Sequence, residues 1–415
     1  MLRIIKNIFH LISAFFAAFY YGFPGKKLKV IGITGTSGKT TTSHLVFQIL
    51  KDAGKKVSMI STLEAIINGK TYDTGFHVTT PSPWTLQKFL RLAVNGGTEY
   101  SILEVTSHAL DQNRIFGVSI SLGLVTNIAH EHLDYHKTME NYRLVKSKIF
   151  YNNSCSLLNF DDPNFSYLKK RTSGKVISYS LINNQADYTT KNIKLLPQIL
   201  GKFNLYNCLA AAALCLELGI DTKTITKSIS EYRGLIGRME ELRLNLPFRV
   251  FIDFAHKPNA LEQALITFRF MAKKNLIIIF GCAGLRDKQK RPIMGEIAAK
   301  FADYIILTAE DPRTEDVRNI INEIAQGCLR NKVNEMDKKI SGVNKLNNGK
   351  RYFWRIPDRQ EAINYAFKKL AKPGDLVALF GKGHEKSMCY GVTEYPWNER
   401  KAVEKAIYGT VKTTS

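Results

Sequence analysis

The stretch Gly32-Ile-Thr-Gly-Thr-Ser-Gly-Lys-Thr-Thr-Thr42 decides the fold. It follows the apolar run Lys29-Val-Ile-Gly-Ile-Thr34, which reads as a buried strand, and precedes Ser43–Leu50, which reads as the start of a helix. A strand, a Gly-rich turn and a helix N-terminus make a phosphate cradle, because backbone N–H groups and the helix dipole face the anion. Gly35, Thr36, Ser37 and Gly38 form the turn, Lys39 can reach the terminal phosphates, the Thr40 hydroxyl can ligate Mg²⁺, and Thr41 follows. Ile33 stands where the usual spacing has Gly, and the Gly lies one place earlier. The expectation is a nucleotide loop of a variant type, unlike that of an ordinary GTPase or transport ATPase.

Working outward, 415 residues are enough for two or more domains, each burying its own core. The net charge of +23 is compatible with nucleic acid, a membrane surface or anionic substrates. Lys and Arg are spread along the whole length with no long basic block, so an anionic small-molecule substrate is the preferred reading and no nucleic-acid partner is expected. Cys155, Cys208, Cys215, Cys282, Cys328 and Cys389 form neither a CxxC pair nor a zinc spacing, which suits free thiols in a reducing cytoplasm. Ile8–Phe23 is rich in Phe, Leu, Ala and Tyr and follows Arg3 and Lys6. It is short for a membrane span and lacks a small-residue cleavage site. Two readings stay open: a helix docked on the protein, or an interfacial helix making weak contact with a membrane surface.

From Lys29 onward apolar strands alternate with amphipathic helical stretches. Val57–Ser61, Tyr100–Val105, Leu122–Thr126 and Cys155–Leu158 read as strands, and Trp84–Val94, Glu140–Phe150 and Asn204–Leu218 as helices. The pattern restarts after Gly234-Leu-Ile-Gly-Arg238, with strands Arg249–Asp253, Asn275–Phe280, Tyr304–Thr308 and Leu376–Phe380 and helices Pro258–Met271, Pro292–Phe301 and Val317–Cys328. The fold class is therefore α/β. The expected divisions are a short apolar helix at 1–27, a P-loop-type domain at 28–234 and a Rossmann-like domain at 235–415. The polar stretch Asn331–Arg351 reads as a surface excursion.

In α/β sheets ligands sit beyond the carboxyl ends of strands. Glu104, at such an end, can help hold Mg²⁺, or can serve as a cap or ion-pair partner. Thr126-Asn-Ile-Ala-His-Glu-His-Leu-Asp-Tyr-His136 packs three His and two carboxylates into seven residues, a density that suits a metal or phosphate site or a satisfied polar loop. Lys146 follows on a helix that points back toward this loop. Asp253-Phe-Ala-His256, Gly281–Lys288, Glu310-Asp-Pro-Arg313 and Gly381-Lys-Gly-His-Glu385 each begin at a strand end. Any one could be a solvated loop; four together form a rim suited to a zwitterionic or anionic substrate.

These motifs, with Thr79-Thr-Pro-Ser82, Tyr142-Arg-Leu-Val-Lys146, Phe203-Asn-Leu-Tyr-Asn207 and Gly237-Arg-Met-Glu240, resemble the Mur ligase family from about Lys29 to the C-terminus. The family comprises ATP-dependent amide ligases of peptidoglycan precursor synthesis, and the resemblance is to the branch that adds the third stem residue. It implies that a substrate carboxylate is phosphorylated by ATP and that an incoming amine displaces phosphate from the acyl phosphate. It assigns Lys39, Lys146, His132 and Glu104 to catalysis, and Thr40, Glu104, His132 and a carbamylated Lys146 to the metal ions. Asn127, Asn204, Asn207, Arg238 and Asp253 join the phosphate loop in binding ATP. Thr79, Thr80, Thr106, Gln112 and Arg114 match positions for the UDP-MurNAc-dipeptide. His256, Arg286, Glu310, Asp311, Arg313, Gly381 and Glu385 match the pocket for the added diamino acid.

The chain departs from the family pattern in several places. Only Met1–Lys27 precedes the core, where the family has a uridine-holding domain. Thr106 replaces Ser, Glu131 replaces Asp, and Asp311 replaces the Asn of Asp-Asn-Pro-Arg. Arg313 favours meso-diaminopimelate, since a guanidinium can bind a distal carboxylate with two prongs. Asp311 argues the other way unless it pairs with Arg313. The alternatives are a folylpolyglutamate or poly-glutamate synthase-like ligase and a catalytically idle nucleotide-binding subunit.

Overall fold

The computed structural model describes residues 2–74, 79–337 and 349–409. The chain divides into two compact units, Met1–Arg233 and Gly234–Ser415. Residues 338–348 of the polar stretch Asn331–Arg351 lie outside the described residues.

The first unit holds a nine-stranded sheet. Its strands are β1 (Lys29–Thr34), β2 (Val57–Ile60), β3 (Ala65–Ile67), β4 (Lys70–Tyr72), β5 (Tyr100–Glu104), β6 (Ile120–Val125), β7 (Cys155–Asn159), β8 (Lys175–Ser180) and β9 (Tyr188–Thr189). The order is β4-β3-β2-β5-β1-β6-β7-β8-β9. Only the β2–β3 and β3–β4 pairings are antiparallel. β1 lies between β5 and β6, with Ile33 opposite both Glu104 and Leu124. Helices cover both faces, which is why β5 is buried along its whole length and β1 beyond Lys29. On one face Leu45, Val46 and Ile49 of helix Lys39–Asp52 meet the Ala210–Ala213 run of helix Lys202–Glu217. On the other, Leu86 and Leu90 of helix Pro83–Asn95 share a core with Tyr142 and Val145 of helix Met139–Ser147.

The N-terminal helix spans Leu2–Tyr20, starting earlier than the Ile8 read from the sequence. It docks on helix Pro83–Asn95 through Ala14, Ala17 and Ala18, all fully buried. Asn7 Nδ2 donates to Asp111 O at 3.1 Å, and Arg91 Nε donates to Tyr21 O at 2.8 Å.

The second unit holds β10 (Glu240–Leu242), β11 (Arg249–Asp253), β12 (Leu276–Phe280), β13 (Tyr304–Leu307), β14 (Asn334–Glu335), β15 (Tyr352–Arg355) and β16 (Leu376–Phe380). They form one sheet in the order β10-β11-β16-β12-β13-β15-β14, antiparallel only at β10. β17 (Ser387–Tyr390) and β18 (Thr393–Pro396) make a separate hairpin. The carboxyl ends of β11, β16, β12 and β13 lie side by side, so the loops that follow them are neighbours. Buried Arg359 ties these ends together. Its guanidinium donates to Ala309 O at 3.0 Å, to Phe380 O at 2.8 Å and to the Glu399 carboxylate, which also accepts from Trp397 Nε1. No described helix is long and apolar enough to cross a membrane.

Candidate active site

In the first unit the chain leaves β1 at Thr34, turns through 35–38 and enters helix Lys39–Asp52 at Gly38, which provides no side-chain cap. The start of that helix is a site for an anion. The turn is held from outside. Asn127 O accepts from Thr36 N at 2.8 Å, Asn127 Oδ1 accepts from Ser37 N at 3.0 Å, and Thr126 Oγ1 donates to Ser37 O at 2.6 Å. A Cβ at Gly35 would lie 1.9 Å from Thr126 Oγ1, and one at Gly38 would lie 2.3 Å from Asn207 Oδ1. The cradle is therefore closed to any side chain at these two positions. Asn207 Nδ2 donates to Asn204 Oδ1 at 3.0 Å, and Asn204 Nδ2 to Leu200 O at 2.7 Å, so both asparagines act as a brace behind the loop.

Lys39 Nζ folds over the turn and donates to Gly35 O at 3.0 Å. Lys146 arrives from helix Met139–Ser147, 1% exposed, and its Nζ donates to the same carbonyl at 2.8 Å. Tyr142, on that helix, lies under the Lys146 ammonium (4.9 Å to the ring centroid), and its hydroxyl meets Thr36 Oγ1 at 3.1 Å. Burial raises the Tyr142 phenol well above its ordinary value. Two cations thus converge on one loop carbonyl, as suits a site for a polyphosphate.

Glu104 ends β5 beside the loop. Its Oε1 accepts from Thr40 Oγ1 at 3.1 Å and its Oε2 from Thr62 N at 3.0 Å. A hydroxyl and a carboxylate are the hard oxygen donors that Mg²⁺ takes from a protein when phosphate and water supply the rest. Among the described residues no group of three or more His, Cys, Asp or Glu is placed to hold a metal. The pair therefore fits a phosphate-borne Mg²⁺ and not a protein cage. The His-rich stretch 126–136 does not converge as its density suggested. His136 is fully buried, against Ser107 Oγ (3.0 Å) and the Tyr142 ring. His132, at φ 54°, is edge-on to His108, with Nδ1 3.9 Å from Glu131 Oε1.

The residues expected to hold the peptide substrate form a chain of contacts from Glu104. Thr62 Oγ1 donates to Thr79 Oγ1 at 3.1 Å, and Thr80 Oγ1 donates to Glu104 O at 3.1 Å. Thr106 caps the short helix Ser107–Asp111, its Oγ1 accepting from Ala109 N at 3.1 Å. Arg114 Nε donates to Gln112 Oε1 at 2.8 Å and Nη1 to Thr80 O at 3.1 Å. Burial lowers the Arg114 pKa from its ordinary value, with little to oppose it.

The second unit places its four loops together. Asp253 Oδ2 accepts from Met239 N at 2.7 Å and Oδ1 from Ala255 N at 2.8 Å, and burial raises its carboxyl against those bonds and Arg238. The Arg238 guanidinium lies over the Phe254 ring at 4.5 Å. His256 is pushed well below its ordinary value by burial, then by Lys257 and Lys290. Glu310 is pushed up to about 7, first by burial, against Lys290, and its Oε2 has no hydrogen-bond partner. Gly381 leaves room beside it, since a Cβ there would lie 3.1 Å from Glu310 Cδ.

Asp311 Oδ1 accepts from Lys382 Nζ at 2.8 Å and from Cys389 N at 2.9 Å. Lys382 Nζ also donates to Glu385 Oε2 at 2.5 Å. Burial pulls the Lys382 ammonium down, but Glu385 and Asp311 outweigh it and its pKa is raised. Asp311 is thus paired with Lys382, which it shares with Glu385, so its negative charge is offset in part. Arg313, half-buried at φ 54°, is pinned to the hairpin, with its N donating to Cys389 O at 3.0 Å and its O accepting from Gly391 N at 2.8 Å. Arg286 is exposed on the loop after β12. Sequence reasoning assigned no role to Lys382, Lys290, Thr62 or Tyr142. Lys382 and Tyr142 were in view, each inside a quoted motif; Lys290 and Thr62 carried no signal.

The family model for the Mur ligase middle domain matches residues 33–215, and that for the Mur ligase glutamate ligase domain matches residues 237–383. The chain is 34% identical to a UDP-N-acetylmuramoyl-L-alanyl-D-glutamate--2,6-diaminopimelate ligase of Geobacillus thermodenitrificans, over 95% of this chain and 82% of that protein. It is 36% identical to the protein of the same name from Bacillus velezensis, over 94% and 80%. A solved structure of a UDP-N-acetylmuramoyl-L-alanyl-D-glutamate--2,6-diaminopimelate ligase superposes with a TM-score of 0.60 at 29% identity, covering 92% of this chain and 78% of that one. E. coli FolC in complex with DHPP and ADP shares the fold, at 17% identity and a TM-score of 0.68 over 89% and 90%.

Proposed function

Because the chain belongs to the Mur ligase family, we propose that it joins meso-diaminopimelate to UDP-MurNAc-L-Ala-D-Glu at the expense of ATP, on the cytoplasmic side. The observation that carries this reading is the phosphate loop with Lys39 and Lys146 on the Gly35 carbonyl and Thr40 touching Glu104. In the reaction a glutamyl carboxylate oxygen attacks the γ-phosphorus of ATP and the bond to ADP breaks. The amine then attacks the acyl carbon, phosphate leaves, and the amine loses a proton.

Residues 28–234 form the nucleotide-binding domain and 235–415 the domain for the amino acid in this proposal. Lys39 swings from its loop carbonyls to the terminal phosphates, and positioning and charge neutralisation carry the transfer. Thr40 and Glu104 would hold Mg²⁺, which would neutralise charge on the phosphates. Lys146, once carbamylated, would offer oxygen in place of an ammonium, and His132 would serve with it at the metal ions. Thr79, Thr80, Thr106, Gln112 and Arg114 orient the peptide. His256, Glu310, Gly381 and Glu385 receive the zwitterionic end of the diamino acid. Arg313 and Arg286 meet its distal carboxylate. Because Lys382 holds the Asp311 carboxylate, the Asp in place of Asn repels that distal carboxylate less than an unpaired Asp would.

The test is ATP-dependent phosphate release on UDP-MurNAc-L-Ala-D-Glu with diaminopimelate, lysine, ornithine and glutamate. Diaminopimelate is expected to lead lysine by about 10⁴ in kcat/KM, because lysine leaves a guanidinium unmatched. Arg313→Ala should collapse that preference. Release with glutamate alone, or with none of the four, overturns the reading.

A further inference from the structure

The N-terminal helix Leu2–Tyr20 buries its small residues and presents its large ones. From residue 8 to residue 20 every exposed position is apolar. Ile8, Phe9, Ile12, Phe15, Phe16 and Phe19 are each 45–70% exposed. The polar side chains of this stretch, His10 and Ser13, turn toward the docked side with Ala14 and Ala17. The apolar surface continues onto the next helix, where Trp84 is 44% exposed and its ring lies 5.8 Å from Tyr20 and 6.4 Å from Tyr21. Such a continuous face is far more than the scattered apolar side chains a monomer normally exposes. It is also firmly mounted: Asn7 on Asp111 and Arg91 on Tyr21 O fix the helix from its docked side, and Phe15, at the edge of the face, packs 5.9 Å from the Phe116 ring.

Charge selects what covers it. Arg3, Lys6, Lys26 and Lys27 lie between Met1 and Lys27, and no Asp or Glu does. Lys26 and Lys27 are exposed just beyond the helix, and Lys88 is exposed one turn from Trp84. A second copy seated face to face would oppose these cations with the same cations, since a two-fold contact matches a patch to itself. An anionic lipid surface meets both demands. Acyl chains take the apolar face, headgroups take the flanking lysines, and Trp and Tyr sit at the boundary between them. The helix is too short and too polar on its docked side to span.

We propose that the outer face of helix Leu2–Tyr20, with Trp84, is a peripheral membrane-binding surface that seats the protein on an anionic bilayer with the helix parallel to its plane. The surface is separate from the nucleotide loop, and its test needs no substrate, so its failure leaves the ligase reading untouched.

The full chain is sedimented with neutral phosphatidylcholine vesicles and with vesicles holding about 30% phosphatidylglycerol. It is expected to pellet with the second, and raising salt to about 0.5 M should weaken the binding. The triple variant Phe9→Ser, Phe16→Ser, Phe19→Ser should bind at least about tenfold more weakly. Phe270→Ser, a 93% exposed position of the second unit, should bind as wild type does. As a reading that needs no variant of the helix, brominated acyl chains should quench tryptophan fluorescence, and Trp84→Phe should remove the quenching. Absence of pelleting with anionic vesicles overturns the proposal. So does equal binding by the triple variant, or quenching that survives Trp84→Phe. A lipid-independent dimer that the triple variant dissolves, without vesicle binding, would assign the face to a second copy and overturn it equally.

Discussion

Glu310 offers a test of the second unit's electrostatics that needs no substrate. Its carboxyl is buried and raised from the ordinary 4.5 to about 7, chiefly because burial penalises the charged form more than Lys290 supports it. The sign follows from the direction. In the folded chain the protonated form is favoured, so nothing is lost below pH about 4.5, where both states hold the proton. As pH rises toward 7 the unfolded chain gives up its proton while the folded chain keeps it, and stability falls. Above about 7 the penalty is constant. At about 1.4 kcal/mol per pH unit, the fall between pH 5 and pH 8 comes to about 2.5 kcal/mol. Glu310→Gln keeps the shape and removes the titration. Urea unfolding of wild type and variant at both pH values gives the comparison. A Trp84→Phe background leaves only Trp354 and Trp397, so the fluorescence reports the second unit. The variant should gain on wild type by about 2.5 kcal/mol from pH 5 to pH 8, other titrations cancelling in the difference. A gain under about 0.5 kcal/mol, or one of opposite sign, refutes the account of burial.

Lys39→Ala should lower phosphate release by about 10²–10³ with little change in Tm, because the ammonium bonds to the loop carbonyls of Gly35 and Thr36; near-normal turnover means that the loop does not receive the transferred phosphate. Lys146→Ala should lose activity, recover part of it with a small added carboxylate, and lose a carbamate signal that ¹³C-bicarbonate gives in wild type; a wild-type chain without that signal at neutral pH speaks against carbamylation. Asp311→Asn should cost no more than about 2 kcal/mol in the second unit's stability, since Lys382 keeps Glu385 and the amide oxygen can still accept from Cys389 N. Lys382→Met leaves a buried carboxylate without its cation and should cost about 3–5 kcal/mol in the same urea assay; equal losses for the two variants refute the pairing argument.

The phosphate loop and the four strand-end motifs were legible because local signals coincide there: an apolar run, a Gly-rich or charged break, then helical periodicity. β8 and β15 went unread for lack of such signals. Ser178 and Ser180 of Lys175–Ser180 alternate with apolar residues, and Tyr352–Arg355 has only three apolar residues, set between Arg351 and Arg355. The partner of Asp311 was not legible, because Lys382 is 71 residues away and only the neighbouring of β13 and β16 loops around β12 brings them together. Nor could three histidines within seven residues say which turns inward. His136 does so because Ser107 and Tyr142, from other elements, line its pocket. The first helix carries apolar residues on every face and only a few polar ones beyond Lys6, so its sequence did not show that alanines would be its docked face.

The brace behind the phosphate loop has a consequence for synthesis. Asn207 Oδ1 accepts from Thr42 Oγ1 and closes the loop at Gly38, yet it is encoded 165 residues after Thr42. A nascent chain that has displayed Gly35–Thr42 therefore has the loop's sequence but not its rear wall. At about 5–20 residues per second, the ribosome takes roughly 8–33 s to add the missing part. Competence to bind nucleotide should therefore be acquired late, once helix Lys202–Glu217 leaves the exit tunnel, and chains truncated before Asn207 should not hold nucleotide even with the whole loop present.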